Sequence, residues 1–321
     1  MKCLILGGGG FIGHHLARRL KNEGNEVHIA DMGWWLDEEH DYNVILGDLV
    51  KPATWLKLDT DYDEVYHLAA DMGGAEYVFV KDNDSKILLN SLQITMHCIN
   101  WMLKNKKIKR VFYSSSACVY NQNNQMSKHH IDTREGSVYP AYPDSDYGWE
   151  KLTSERLYLA AARNRGMEVR IGRYHNIYGP ECDYEGDRAK SVAALARKVI
   201  QADTDVEIFG TGDQVRSFLY IDDCIDATIR VMRCDYDQPL NIGSNEAISI
   251  NQLVDKFIEF KGMKNKMKKL YVDGPIGVNA RNSHNDLVQF HTGWYPATNI
   301  VHGLEATYKW IEQQLSSREE G

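Results

Sequence analysis

The chain has 321 residues and a formal net charge of −8 at pH 7, with 37 Lys and Arg residues against 45 Asp and Glu residues. This acidic balance argues against a nucleic-acid partner, because polyanions are repelled at long range. No apolar run approaches the roughly 18 residues of a membrane span, and the six cysteines are scattered without zinc-type spacing. We therefore expect a cytoplasmic protein that binds neither membranes nor metals.

Short apolar runs alternate with helical patterns through the first half of the chain. Predicted helices lie at 11–24, 86–105 and 145–165, and predicted strands lie at 2–6, 26–31, 44–46, 64–69, 110–115 and 168–173. Strands separated by helices indicate a parallel sheet that is covered on both faces. The predicted fold class is therefore α/β, a doubly wound parallel sheet of the Rossmann type.

The pattern is less regular beyond residue 174. Further predicted elements are helices at 189–202, 222–234, 251–260 and 303–314 and strands at 206–209 and 216–221. We expect residues 1–175, with a return near 215–245, to form a dinucleotide-binding domain. Residues 176–214 and 246–321 are expected to form a smaller C-terminal substrate-binding lobe, with the ligand in the cleft between the two.

A glycine-rich turn follows the first predicted strand and opens the first predicted helix. Glycine at this point lets the backbone turn tightly and bring its N–H groups to a pyrophosphate. A carboxylate at the end of the second strand binds the ribose hydroxyls and repels a 2′-phosphate, so the pattern favours NAD over NADP. The residues predicted to contact NAD are Gly7, Gly10, Phe11, Ile12, Gly13, Asp31 and Asp48, the last of them at the adenine.

Tyr147 and Lys151 lie four residues apart and share one face of a predicted helix. Such a lysine can hold the cofactor ribose and lower the tyrosine pKa, so that the tyrosinate takes a hydroxyl proton while a hydride leaves for the nicotinamide. Ser116 closes a serine run after the fifth strand and can bridge the same hydroxyl. By itself the tyrosine–lysine pair is also typical of a solvated helix face. The three elements together favour catalysis.

With these elements in place, nearly the whole sequence resembles the extended short-chain dehydrogenase/reductase family of nucleotide-sugar enzymes. The stretches 67–70 (HLAA) and 173–180 (RYHNIYGP) are similar to motifs of that family. The resemblance implies that Asn176 contacts the sugar diphosphate and that Leu68, Ala69 and Ala70 line the cofactor site. His67 and His175 are interpreted as structural.

The positions after Ser116 distinguish the reactions of this family. Where Cys118 stands, the resemblance leads us to expect an acidic pair in a 4,6-dehydratase, a hydroxyl residue followed by Glu in a decarboxylase, and a small hydroxyl residue in a 4-epimerase. A transient 4-ketone acidifies the C–H bonds at C3 and C5, and inverting either centre needs one group to remove a proton and another to return it. A thiol and an amine across the ring can do this, and Cys118 and Lys190 are the candidates.

Five stretches are similar to the GDP-mannose 3,5-epimerase family: 70–74 (ADMGG), 116–118 (SAC), 175–176 (HN), 214–218 (QVRSF) and 277–283 (GVNARNS). The resemblance implies an NAD-dependent isomerase that inverts C3 and C5 of GDP-mannose, with Cys118 and Lys190 as its acid and base. The substrate contacts that it implies are Met72, Gly73, Gly74, Ser116, Ala117, Cys118, Asn176 and Lys190, and, at the nucleotide diphosphate, Lys198, Gln214, Arg216 and Arg281.

Two departures from that family lie near the expected hexose pocket. Ala189 replaces a glutamate before the catalytic lysine, and Glu76 replaces a glycine. A 3,5-epimerase of another GDP-sugar, a nucleotide-sugar 4-epimerase and a non-catalytic NAD-bound sensor therefore stay open, although the retained proton-transfer groups disfavour the sensor. The predicted helix near 87–103 is apolar on more than one face and, with the tyrosine-bearing helix, is expected to form a homodimer.

Overall fold

The computed structural model describes residues 1–33 and 42–319. The strands are β1 (Lys2–Leu6), β2 (Glu26–Asp31), β3 (Asn43–Leu46), β4 (Glu64–His67), β5 (Arg110–Ser116), β6 (Glu168–Tyr174), β7 (Ile177–Tyr178), β8 (Asp205–Phe209), β9 (Val215–Ser217), β10 (Leu219–Tyr220), β11 (Leu240–Ile242), β12 (Ala247–Ser249), β13 (Lys268–Val272) and β14 (Ala280–Arg281). The α-helices are α1 (Phe11–Asn22), α2 (Pro52–Trp55), α3 (Ala75–Val78), α4 (Asp84–Lys104), α5 (Asp146–Arg165), α6 (Ser191–Gln201), α7 (Ile221–Arg233), α8 (Ile250–Phe260), α9 (Asp286–Thr292) and α10 (Ile300–Glu319).

A seven-stranded sheet in the order β11-β6-β5-β4-β1-β2-β3 forms the centre of the molecule. All of its neighbouring strands run parallel, which confirms the predicted doubly wound α/β fold. The strand order reverses between β1 and β4. In such sheets the crevice at the carboxyl ends of the strands at this reversal is the place where ligands bind.

Helices cover both faces of the inner strands of this sheet, and successive side chains of a strand point to opposite sides. In β1, Cys3 and Ile5 join the core beneath α1 and α7, whereas Leu4 and Leu6 join the core beneath α4 and α5. Because β1 is buried on both faces, its sequence is a continuous apolar run and does not alternate between apolar and polar residues.

Three smaller sheets lie beyond the main one. They are β10-β7, β12-β9-β14 and β13-β8, and helices α6, α8 and α10 pack around a second apolar core beside them. The sequence did not predict β7, β11, β12, β13, β14 or α9. These segments are short, and the order of residues along the chain does not reveal which neighbours pair with them.

The sequence predicts that the chain returns to the first domain near 215–245, and only part of this segment contacts the main sheet. α7 packs on the main sheet and β11 pairs with β6, but β9 pairs with β12 and β14 of a small sheet. The single predicted strand at 216–221 is in fact β9 and β10, which belong to different sheets. We propose the two-lobe division predicted from the sequence, with the return beginning at α7 and with α9, which contacts β11, on the side of the main sheet.

Within the described ranges, the helices lack the combination of length and apolarity that a membrane span requires.

A buried ion pair between Arg173 and Glu155 connects β6 to α5. The guanidinium of Arg173 donates to both carboxylate oxygens of Glu155, at 2.9 and 2.8 Å, and both side chains are almost fully enclosed. Arg173 also donates to the hydroxyl of Tyr120 at 3.2 Å. This network fixes α5, which carries the tyrosine–lysine pair, against the carboxyl end of the sheet.

We expect the substitution Glu155→Gln to lower the free energy of unfolding by about 3–5 kcal/mol, because it leaves the guanidinium of Arg173 buried without a counter-charge. The matched control is Glu305→Gln, which removes a carboxylate from an exposed pair with Lys309 and is expected to leave stability unchanged. Urea denaturation of both variants measures the difference. Equal stabilities would show that the buried pair contributes no more than a surface one.

Candidate active site

A cavity of about 770 Å³ lies at the carboxyl ends of the main strands and extends to the small sheets. Every residue that the sequence predicted to bind the cofactor or the substrate lines it. These residues come from segments as far apart as Gly7 and Arg281. The fold thus brings the predicted residues together in one site.

The glycine loop after β1 is shaped by close backbone approaches. Gly7 has a φ of +86°, and a Cβ atom there would lie 2.7 Å from the backbone nitrogen of Ala69. A Cβ atom on Gly13 would lie 2.1 Å from the carbonyl oxygen of Gly7. Larger residues are excluded at both positions, so the loop can bend under the start of α1 and present its N–H groups to a pyrophosphate.

The carboxylate of Asp31 lies beside this loop at the end of β2. It accepts hydrogen bonds from the backbone nitrogens of Gly9 at 2.9 Å and Met32 at 2.6 Å. Asp48 accepts from the backbone nitrogen of Val50 at 2.9 Å. An ionised carboxylate offers about four acceptor positions, so Asp31 can also accept from the hydroxyls of a ribose. The glycine cradle and this carboxylate fit a dinucleotide.

Helix α5 begins with a capped turn that brings Tyr147 into the cavity. The hydroxyl of Ser145 accepts from the backbone nitrogen of Gly148 at 3.3 Å. A Cβ atom on Gly148 would lie 2.3 Å from the carbonyl oxygen of Cys118. Glycine after the tyrosine therefore lets α5 pack directly against the cysteine-bearing segment. The sequence offered no reason for this glycine.

Burial dominates the electrostatics of the tyrosine–lysine pair. Burial raises the pKa of the Tyr147 phenol, and Cys118 and Glu150 act in the same direction. Lys151 Nζ lies 5.6 Å from the centroid of the Tyr147 ring and donates to the carbonyl oxygen of Ser114 at 3.1 Å. The pKa of Tyr147 is therefore raised overall, opposite in direction to the lowering predicted from Lys151, because the loss of solvent around the phenol dominates.

The half-buried thiol of Cys118 lies in a network that the sequence did not predict. Its Sγ atom accepts from Arg281 Nη1 at 3.2 Å. Arg281 also donates to Gln125 Oε1 at 2.6 Å and to Asp144 Oδ2 at 2.9 Å. Burial works against the charge of Arg281, but the neighbouring Cys118 and Asp144 raise its pKa overall. A permanent cation thus contacts the sulfur atom.

Each nitrogen of Arg281 has a protein acceptor, and the residue also lines the cavity, so its contact with the diphosphate stays a prediction. The same prediction applies to Arg216. It donates to the carbonyl oxygen of Ile276 at 3.0 Å and lines the cavity. Burial, with Arg281 nearby, lowers the pKa of Arg216 to about 10. An anionic group entering the cavity would relieve the repulsion between the two cations.

Lys190 is the residue that precedes α6, and its amine lines the cavity. Burial lowers its pKa, while Cys224, Cys118 and Cys182 oppose that shift. Its Nζ atom forms no hydrogen bond or ion pair with the described residues. Among these residues, Lys190 is thus a half-buried amine that is free to exchange protons with a ligand.

The loop that contains Gly73 and Gly74, here called the double-glycine loop, packs against the backbone that precedes Lys190. The backbone nitrogen of Gly74 donates to the carbonyl oxygen of Arg188 at 3.0 Å. A Cβ atom on Gly74 would lie 2.1 Å from the carbonyl oxygen of Ala189. Arg188 forms an ion pair with Asp71 at 3.1 Å. Sequence reasoning missed Arg188, Gln125 and Asp144 because none of them belongs to a motif, and it assigned no role to Asp71 although that residue lies in the stretch 70–74.

Asn176 and the two histidines next to the site are held by the protein. Asn176 has a φ of +44° and donates to the carbonyl oxygen of Ser217 at 2.8 Å. His67 contacts the hydroxyl of Tyr158 at 2.6 Å, and His175 contacts Asn241 Oδ1 at 2.9 Å. Burial lowers the pKa of each histidine to about 3, which agrees with their structural interpretation.

The described residues contain one cluster with metal-ligand chemistry, formed by His14, His15 and Glu181. The sequence predicted no metal site. In this cluster the carboxylate of Glu181 is engaged by Arg18, whose nitrogens approach its two oxygens at 3.2 and 2.7 Å. A cation is therefore already present at this carboxylate.

Comparison with known proteins agrees with this geometry. The model of the NAD dependent epimerase/dehydratase family matches residues 3–243. A GDP-mannose 3,5-epimerase of Arabidopsis thaliana is 38% identical over 98% of this chain and 83% of its own length. A UDP-glucuronic acid decarboxylase of Xenopus tropicalis is 26% identical over 98% of this chain and 73% of its own length.

Solved structures share the fold. The UDP-glucose 4-epimerase of Thermotoga maritima superimposes with a TM-score of 0.87 at 23% identity, covering 98% of this chain and 100% of its own. The UDP-glucuronic acid 4-epimerase of Bacillus cereus, solved with UDP-glucuronic acid and NAD, gives a TM-score of 0.80 at 25% identity with the same coverage. These findings confirm the predicted relationship to nucleotide-sugar enzymes. The chain belongs to the NAD-dependent epimerase/dehydratase family, and NAD is its cofactor.

Proposed function

We propose that this enzyme is a GDP-mannose 3,5-epimerase, which inverts C3 and C5 of its sugar through a transient 4-ketone. The observation that carries the proposal is the pairing, in one cavity, of a thiol bonded to a guanidinium with a half-buried amine that has no hydrogen-bond or ion-pair partner among the described residues. The 38% identity to a GDP-mannose 3,5-epimerase over nearly the whole chain supports the same reaction.

The cofactor site is proposed to consist of the glycine loop, Asp31 and Lys151. When bound, NAD accepts the hydride from C4 of the sugar and later returns it. Tyr147 takes the proton of the C4 hydroxyl, and a side-chain hydrogen bond with Ser116 opposes the burial that raises the pKa of the Tyr147 phenol. Because burial disfavours the tyrosinate, its charge depends on the ammonium of Lys151.

The inversion itself is assigned to Cys118 and Lys190. The thiolate of Cys118, stabilised by its hydrogen bond from Arg281, removes the proton next to the ketone, and the electron pair moves onto the C4 oxygen as an enolate. Lys190, as an ammonium, delivers a proton to the opposite face of the same carbon. The lowered pKa of Lys190 makes its proton easier to give up.

A second candidate function is the same chemistry on another GDP-sugar. Glu76 lines the cavity where the resembling family has a glycine, and Ala189 takes the place of a glutamate. Relative to the family, this chain lacks a carboxylate at position 189 and has an additional one at position 76, both near the expected hexose pocket. The proposed proton-transfer groups Cys118 and Lys190 are unchanged. The two substitutions bear on the identity of the sugar more than on the reaction.

We also propose a homodimer that forms through α4 and α5. These helices pack on each other, and their outer surface exposes Leu89, Met96 and Trp149 at 68%, 48% and 41%. Exposed apolar side chains on adjacent helices are typical of an interface between subunits. A cytoplasmic location is proposed as well, supported by the six cysteines, all of which are free thiols.

The proposed reaction predicts deuterium incorporation. Incubation with GDP-mannose in deuterated water is expected to label C3 and C5, which NMR detects. The substitution Cys118→Ala should slow this labelling by about 100-fold or more, because no other group replaces the proton acceptor. Cys234→Ala is the matched control, since that thiol lies outside the cavity. Label at neither carbon with the wild-type enzyme contradicts the 3,5-epimerase proposal.

The proposed role of Tyr147 as the proton acceptor at C4 predicts a loss of catalytic rate when its hydroxyl is removed. Tyr147→Phe should reduce kcat by about 10²–10⁴-fold because the C4 hydroxyl loses its proton acceptor, and the absorbance of the reduced nicotinamide should no longer appear during turnover. The control is Tyr142→Phe, at a half-exposed tyrosine in the same segment. A Tyr147→Phe enzyme with wild-type kcat would remove the phenol from the mechanism.

The proposed dimer predicts a change of mass on substitution of its surface. Light scattering at micromolar concentration is expected to give twice the chain mass for the wild-type protein and the chain mass for the double variant Leu89→Glu, Met96→Glu, since buried charges oppose association. Phe290→Glu changes an apolar residue elsewhere that is even more exposed than Leu89 and Met96, and it should leave the mass unchanged. A wild-type monomer would contradict the proposal.

A further inference from the structure

The amine of Lys190 takes its position from the backbone that precedes it. Lys190 is the N-cap residue of α6, with an extended backbone at φ −81° and ψ 159°, and its amine has no hydrogen-bond or ion-pair partner among the described residues. The segment before α6 therefore has to be held by other residues if the amine is to lie at a fixed point beside a sugar ring. Arg188, two residues earlier, makes contacts that hold this segment against the opposite wall of the cavity.

The guanidinium of Arg188 reaches from its own segment to the loop after β4. Nη1 donates to the carbonyl oxygen of Met72 at 2.7 Å, and Nη2 donates to Asp71 Oδ1 at 3.1 Å. The guanidinium carbon lies 4.1 Å from the ring centroid of Tyr77. A planar fork can donate in two fixed directions while its face stacks on an aromatic ring, which the ammonium of a lysine cannot do. Together these contacts fix the distance between the two segments.

The carboxylate of Asp71 is itself held from α3 and α4. Oδ1 also accepts from the hydroxyl of Tyr77 at 2.8 Å, and Oδ2 accepts from Asn90 Nδ2 at 2.8 Å. The backbone nitrogen of Asp71 donates to Ser91 Oγ at 2.9 Å. Burial acts to raise the pKa of Asp71, but these side-chain hydrogen bonds and Arg188 lower it overall. An ionised carboxylate with three anchors of its own thus faces the guanidinium at neutral pH.

The backbone of Arg188 is held by the same loop as its side chain. Its carbonyl oxygen accepts from the backbone nitrogen of Gly74, while its guanidinium donates to the carbonyl oxygen of Met72. Met72, Gly74, Arg188 and Lys190 all line the cavity. Because two atoms of one residue are fixed to one loop, the segment has little freedom to rotate, and the amine that follows it is restricted as well.

We propose that Arg188 is the positioning residue of Lys190, with Asp71 as its anchor. This inference rests on the proposed function, for which it names the groups that keep the amine at the distance that proton transfer requires. A displacement of about 1 Å can slow a reaction by about 100-fold. Only the inversion uses Lys190, whereas hydride transfer uses Tyr147 and Lys151. Loss of the Arg188 contacts is therefore expected to slow the inversion selectively.

The test measures both steps in the variant Arg188→Ala of the NAD-loaded enzyme. With saturating GDP-mannose in deuterated water, labelling at C3 and C5 should fall by about 100-fold. The absorbance of the reduced nicotinamide should still appear at nearly the wild-type rate. Equal losses in both steps would indicate general damage to the site, and an unchanged labelling rate would show that Lys190 needs no such support. Either result overturns the proposal.

Chemical rescue separates positioning from folding. Guanidinium chloride at millimolar concentration should restore part of the labelling rate to Arg188→Ala, because a small planar cation can occupy the place between Asp71 and the carbonyl group of Met72. Arg188→Lys, which keeps the charge but loses the fork, should show an intermediate rate. A raised KM for GDP-mannose with unchanged kcat would instead make Arg188 a direct substrate contact and contradict the positioning role.

Glu185→Gln is the matched control in the same segment. Glu185 forms an ion pair with Arg318 at 2.9 Å, both side chains are about half exposed, and neither residue lines the cavity. This variant should keep the wild-type rates of labelling and of nicotinamide reduction. A loss as large as that of Arg188→Ala would show that any ion pair of the segment suffices, against the specific role of Arg188.

Acetylation of lysines, read by mass spectrometry, tests the position of the amine without the inversion. GDP-mannose is expected to protect Lys190 from acetic anhydride in the wild-type enzyme and in Glu185→Gln, but not in Arg188→Ala, where the amine is no longer held beside the ligand. Equal protection in all three overturns the positioning role. A wild-type enzyme that protects Lys190 without labelling C3 or C5 would refute the proposed reaction and leave the role of Arg188 supported.

Discussion

The guanidinium of Arg281 joins the parts of this enzyme that have to act together. It belongs to β14 of a small sheet, yet it donates to the sulfur atom of Cys118 after β5 and to the carboxylate of Asp144 before α5. A single buried cation thus connects the substrate-facing sheet, the candidate base and the helix of Tyr147. Its charge is retained despite burial because a carboxylate and a thiol lie beside it.

Two close backbone approaches set the positions of Cys118 and Lys190, the proposed proton-transfer groups. Gly148 lets α5 pack against the carbonyl group of Cys118, and Gly74 lets the double-glycine loop pack against the backbone before Lys190. Side chains at either glycine would force the segments apart. Because Cys118 and Lys190 lie on segments held by different contacts, they can approach a sugar ring from different directions, as an inversion requires.

Burial sets the protonation of the site more than individual charges do. It raises the pKa of Tyr147 and lowers those of Lys151 and Lys190, so each of these groups tends toward its neutral form. A site of this kind responds strongly to any charge that a ligand brings, since little solvent screens the interaction. Arg216 and Arg281 provide the cationic side that suits a diphosphate.

Local spacing in the sequence was sufficient for six of the seven strands of the main sheet, for the glycine turn and for α5, which was predicted at 145–165 and is found at Asp146–Arg165. These features depend on hydrophobic periods, glycine geometry and capping, which act between near neighbours in the chain. The membership of β9 and β10 in separate sheets, the contact of Arg281 with a thiol 163 residues away and the raised pKa of Tyr147 were decided only by tertiary structure. Pairing, burial and the charges around a group depend on segments that meet in space, and their positions along the chain do not specify these meetings.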